Sequence, residues 1–267
     1  MADDLKKSAA DKLAANSDWP EVVRKIRART PARIFVGRAG PAYRTETQLQ
    51  LREDHAAARD AVRAELDVNA AFGARFIEKW KLFDVGTRAS SKDEYLQHPS
   101  LGRAFNDAAR VEIVRRCAAE RDVQIAIGDG LSVPAISAQV PRLLPLLMES
   151  VKARGWSVGE TFIIHHCRVG IVNEIGELLR PRIVLLLIGE RPGLATAESL
   201  SAYMAYQPDR THSDANRNLI SNVHGRGLSA EDAAARILNL CAQMMSLRAS
   251  GVTLKEIAGH EPESLPR

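Results

Sequence analysis

The chain has 267 residues, 45% hydrophobic and 26% charged, the composition of a globular protein able to bury a sizeable core in one large or two modest domains. A formal charge of +4 and a pI near 9.1 invite a nucleic-acid reading. Basic and acidic residues alternate along most of the sequence, however, with no block of five or six like charges, which argues against a basic binding face. The longest strongly apolar run, 183–188, is far short of the roughly 20 residues that cross a bilayer. The first fifteen residues lack the apolar core and cleavage site of a secretory signal, so the protein is expected to remain inside the cell. Cys117, Cys167 and Cys241 are odd in number and widely spaced, which suggests neither a disulfide framework nor a CxxC metal site; they read as buried thiols.

In chain order, residues 1–30 are polar and Ala-rich, with helical pieces expected at 4–15 and 20–27, and are expected to be partly mobile. Gly37, Gly40 and Pro41 force a loop. From Thr45, a capping box with Gln48 and helical spacing of Leu49, Ala56, Val62 and Leu66 predict a helix of about twenty residues. Further helices are expected over 70–80 and 103–119, joined by a polar connection through Ser90, Ser91 and Pro99. After residue 120 the pattern changes to short apolar runs at 123–127, 162–164 and 183–188, the pattern of strands buried on both faces of a parallel sheet. Between and after these runs, Ser132, Asn173, Thr196 and Ser229 are read as helix N-caps, the last opening a helix that runs to about Ala249 before Gly251 stops it. The predicted fold is α/β: a Rossmann-like, mostly parallel sheet flanked by helices over 101–267, preceded by a mainly helical N-terminal region over 1–100.

Ligands of open parallel sheets bind where strands end and helices begin, which selects three segments. The first, Gly128-Asp129-Gly130-Leu131-Ser132, is either a tight turn or a loop whose glycines bring backbone close to a ligand. The second, Gly189-Glu190-Arg191-Pro192-Gly193, delivers a carboxylate and a guanidinium to the sheet edge, for binding or for an internal ion pair that shapes the turn. The third, 216–227, is polar and turn-rich, with His224 read as a hydrogen-bonding residue. Adjacent His165 and His166 are expected to point apart and not to share a metal. The GxGxxG dinucleotide fingerprint, the GxxxxGK[ST] phosphate loop, the HExxH pair and the GxSxG elbow do not occur.

Six pieces in order, GRAGPAYRT (37–45), DHAAARDAV (54–62), GDGLS (128–132), RVGIVNEIGELL (168–179), LLIGERPGLATAESLSAYM (186–204) and LISNVHGRG (219–227), resemble the ethanolamine ammonia-lyase small (light) subunit family. GERPGL followed by ESLSAY is the most specific of these. The resemblance implies a small subunit that joins a larger barrel-shaped large subunit in a hetero-oligomer. That complex would convert ethanolamine to acetaldehyde and ammonia with adenosylcobalamin, in the bacterial cytoplasm or an ethanolamine-utilisation microcompartment. It further implies cofactor contacts at Val169, Glu190 and Leu219, with no catalytic acid, base or nucleophile in this chain. Leu219 departs from a family position that is often cysteine, so a contact there would be made by backbone or by apolar surface. No DxHxxG segment occurs, in keeping with a cobalamin that keeps its own base on cobalt. A non-catalytic interaction protein and an independent enzyme using the GDG and GERPG loops remain as alternatives.

Overall fold

The computed structural model describes residues 20–30, 33–193 and 196–254; the helical piece expected at 4–15 lies outside them. Its main feature is a six-stranded sheet in the order β3-β5-β4-β6-β7-β8, comprising Phe83–Gly86 (β3), Val123–Gly128 (β4), Phe162–His165 (β5), Ile183–Gly189 (β6), Leu200–Tyr206 (β7) and Asn218–Val223 (β8). The first four in that order are parallel, and β7 and β8 each add antiparallel. A short hairpin, Arg38–Ala39 (β1) with Ala42–Tyr43 (β2), forms the loop expected around Gly40.

The strands are buried on both faces because their side chains serve two cores. Ile125, Ile127, Leu185 and Leu187 face one core with Val133–Ala153 (α7) and Ala230–Leu247 (α9). Ala126, Val184, Leu186 and Ile188 face the other, with Asp107–Arg116 (α6) and Ile171–Leu179 (α8). Alternation with period two therefore yields continuous apolar runs when both sides are covered, and each large apolar side chain so buried contributes about 1.5–3 kcal/mol. Ser132 caps α7 and Ser229 caps α9, as the sequence predicts.

The N-terminal part carries Glu21–Ala28 (α1), Thr45–Arg63 (α2), Val68–Phe72 (α3) and Ala74–Trp80 (α4). The expected helix over 70–80 is broken at Gly73, whose φ is 72°. Thr45 does not cap α2; Arg44 holds the N-cap position, and Gln48 donates to the Tyr43 carbonyl instead. β3 and the helix Lys92–Gln97 (α5), capped by Ser91, occupy a stretch read as helix and polar connection. Both are too short to carry a periodic signal.

Two further expectations are corrected. Asn173 lies inside α8, whose N-cap is Gly170, and its side-chain amide donates to the His212 carbonyl. The segment after Thr196 is not a helix but β7, paired with β6 along its whole length. Pairing with the most apolar strand of the chain overrides a weak local helix preference. Likewise the third segment is largely strand, since β8 spans Asn218–Val223 at the sheet edge.

Candidate binding cleft at the carboxyl edge of the sheet

The chain leaves β4 through α7 on one face and leaves the adjacent β5 through α8 on the other, so the loops after these two strands diverge. Such a switch point is where open α/β sheets form a crevice. Here the crevice is filled by the protein itself. Asp129 is fully buried and accepts the backbone N–H groups of His166 (2.9 Å) and Cys167 (2.8 Å), which joins the two loops. Lys92, brought over the edge by α5, places its Nζ 3.2 Å from Asp129 Oδ2, with both side chains nearly without solvent contact. From the same helix Tyr95 donates to the Cys167 carbonyl (2.8 Å). Burial, reinforced by the Asp129 charge, raises the phenol far above its ordinary range and keeps it a donor.

The glycines of the GDG and GER segments serve the approach of two loops to each other. Gly130 has φ 59°, and a Cβ there would meet the Gly189 carbonyl oxygen; a Cβ on Gly189 would meet the Ser132 carbonyl oxygen. The Leu131 N–H donates to the Gly189 carbonyl across this junction. Close packing of this kind requires glycine on both sides.

Beside the filled crevice an open cleft of ≈ 170 Å³ runs along the ends of β4, β6 and β7. Arg168, Val169, Glu190, Arg191, Ser201 and Tyr203 line it, together with the buried Tyr95 and Gly130. Val169 and Glu190, twenty-one positions apart, are thus neighbours on one surface. Leu219, on β8, does not line the cleft; it is paired with Tyr203 of β7, which does, and it is 44% exposed. Leu219 is thus one strand away from the cleft lining, on the edge strand.

Glu190 is held from three sides. Ser199 Oγ donates to its Oε2 (2.8 Å), Ser201 Oγ donates to its Oε1, and the Asn222 N–H donates to the same oxygen (3.1 Å). The ion pair with Arg191 considered from sequence is not formed; among the described residues Arg191 has no acidic partner. Because a carboxylate has about four acceptor positions, Glu190 keeps one for a donor in the cleft. Its Asn222 partner is fixed in turn by His224. The ring accepts from the Arg226 N–H at Nδ1 (3.3 Å) and lies 2.7 Å from Asn222 Oδ1 at Nε2, which is the neutral tautomer donating to Asn222. Burial, then the Arg226 charge, lowers the His224 pKa from its ordinary value.

His165 and His166 have separate partners, Asp84 for the first and Glu65 with the Ala89 carbonyl for the second. All three cysteines are buried and free. The residues not singled out from sequence are Lys92, Tyr95, Arg168, Ser199, Ser201 and Tyr203. Ser199, Ser201 and Tyr203 fall at strand spacing, a signal that was readable had β7 been recognised.

The described residues thus form a mixed α/β fold with a filled switch point and an open cleft beside it, the usual place for a ligand in such sheets. A family model described as "Ethanolamine ammonia-lyase light chain (EutC)" matches residues 20–255. The ethanolamine ammonia-lyase small subunit of Clostridioides difficile (strain 630) is 41% identical over 243 residues, covering 91% of this chain and 81% of the relative. That of Clostridium acetobutylicum is 40% identical, covering 88% of this chain and 95% of the relative. That of Listeria monocytogenes serovar 1/2a is 40% identical, covering 86% and 77% respectively. The chain belongs to the ethanolamine ammonia-lyase light-chain family.

Proposed function

We propose that this chain is the small subunit of an ethanolamine ammonia-lyase and that, with a large subunit, it binds adenosylcobalamin for the conversion of ethanolamine to acetaldehyde and ammonia. The observation that carries this reading is the meeting of Val169 and Glu190 in one cleft, with Leu219 paired to the lining residue Tyr203 on the next strand. A corrinoid has an apolar ring edge bearing methyl groups and amide arms, and the residues present fit it. Val169, Tyr203 and Leu219 offer apolar contact, and Glu190 offers an acceptor for an amide N–H. Three donors fix the Glu190 carboxylate before any ligand arrives, so ordering it on binding costs little.

When bound, the cofactor supplies the radical by homolysis of its cobalt–carbon bond. This chain's residues orient the corrinoid and keep water from one side of it. A corrinoid is larger than the cleft, so a second surface must cover the rest, and the large subunit is the partner that supplies it. We assign no acid, base or nucleophile of the reaction to this chain.

The test is to co-express the chain with a candidate large subunit, purify through a tag on this chain, and assay acetaldehyde formation from ethanolamine. Co-purification with adenosylcobalamin-dependent activity is expected, with no turnover by the isolated chain. Failure to associate, or turnover by this chain alone, contradicts the proposal.

A further inference from the structure

The cleft holds a charge that its own residues leave unanswered. Asp129, on the loop that carries the lining residue Gly130, is already engaged by Lys92 and two backbone N–H groups. Arg168, from the loop after β5, lays its guanidinium over the Tyr95 ring, 4.3 Å from the centroid. Its Nε is buried and has no hydrogen-bond partner, and among the described residues it makes no ion pair. Glu190 is the remaining acid lining the cleft, and three neutral donors occupy it. Arg191 adds a further cation. Two guanidinium groups therefore face one carboxylate, and the cleft is net positive.

An uncompensated, partly buried guanidinium gains most from an oxyanion that accepts from its planar fork of donors. Stacking on Tyr95 fixes the plane of that fork in advance and limits the entropy lost on binding. We infer that Arg168 is an anion-binding residue of the cleft and that the group it takes is a phosphodiester. This rests on the cofactor reading above, because the amide arms of a cobalamin are neutral and the phosphodiester of its nucleotide loop is its anionic group.

The test compares two corrinoids on the assembled complex. Cyanocobalamin carries the phosphodiester; dicyanocobinamide lacks the nucleotide loop that contains it. Binding of each is followed by equilibrium dialysis and absorbance, for the wild type, for Arg168→Met and for Arg168→Lys. Arg168→Met retains an unbranched stem against Tyr95, and co-purification of the subunits together with the melting temperature checks its assembly. The expected result is a roughly tenfold to hundredfold loss of cyanocobalamin affinity in Arg168→Met, as for a lost charge-assisted hydrogen bond, a smaller loss in Arg168→Lys, and unchanged dicyanocobinamide affinity. An equal loss for both corrinoids, or no loss for either, overturns the phosphodiester assignment while leaving the cofactor reading intact. A wild-type complex that binds neither corrinoid overturns both.

Discussion

The filled crevice and the open cleft lie side by side on the same sheet edge and use charge in opposite ways. At the crevice, Asp129, Lys92 and Tyr95 are buried and satisfy one another and the backbone, so their charges hold loops together. In the cleft, Glu190 and Arg168 are only partly buried and keep hydrogen-bonding capacity in reserve. A carboxylate at a strand end is thus not in itself a ligand contact. Each accepts from three donors; what separates them is that Asp129 is fully buried against the ammonium of Lys92, whereas Glu190 is half-buried, has only neutral donors and lines the open cleft.

The largest effect is expected at the crevice. Asp129→Ala leaves the buried Lys92 ammonium and two backbone N–H groups without their acceptor, and should destabilise the fold by about 3–5 kcal/mol, measured by denaturant unfolding. A loss below about 1 kcal/mol would break the contrast between the two regions. Glu190→Ala leaves three neutral donors but no buried ammonium without an acceptor, so it should cost less stability than Asp129→Ala while weakening corrinoid binding by the assembled complex, of the order of tenfold. Unchanged affinity would remove Glu190 from the site. Leu219→Ser, at an exposed edge position, should leave stability within about 0.5 kcal/mol and reduce corrinoid affinity by a few-fold, read in the same titration.

The smallest expected effect is a dependence on pH. The His224 pKa is lowered in the folded chain, by burial first and by Arg226 second. A folded-state value below the unfolded one means that the unfolded chain takes up the proton more readily. The stability contributed by neutral His224 is therefore complete above the ordinary histidine value and is lost as pH falls through it toward the folded value. Protonation would also remove the acceptor of the Arg226 N–H and loosen the Asn222 support of Glu190. His224→Gln should flatten the fall in melting temperature between about pH 7 and pH 5; an unchanged slope would assign it to other groups.

The sheet was legible where burial is continuous. The runs at 123–127, 162–164 and 183–188 are β4, β5 and β6 because both faces are covered, and the one polar residue within them, Gln124, is buried with its amide donating to the Ile125 and Glu160 carbonyls. The antiparallel extension was not legible. Ala, Met and Leu in LSAYMAY suit a helix locally, and only pairing with β6 makes the segment a strand. The loops after β4 and β6 were located by the rule for strand ends, and the positions of Val169 and Glu190 followed from the resemblance. The use of Asp129 could not be read, since Lys92 and Tyr95 come from a six-residue helix thirty-odd positions away. The glycines of GDG were visible, but not that their close neighbour is Gly189.

The central claim, that this chain supplies one wall of a cobalamin site, is tested most directly by hydrogen–deuterium exchange on the assembled complex with and without cobalamin. Slower exchange is predicted in residues 168–170, 189–191 and 199–203 and at the edge strand near Leu219, with the Asp129 crevice protected in both states. Protection confined to the large subunit, with these segments unchanged, would contradict it.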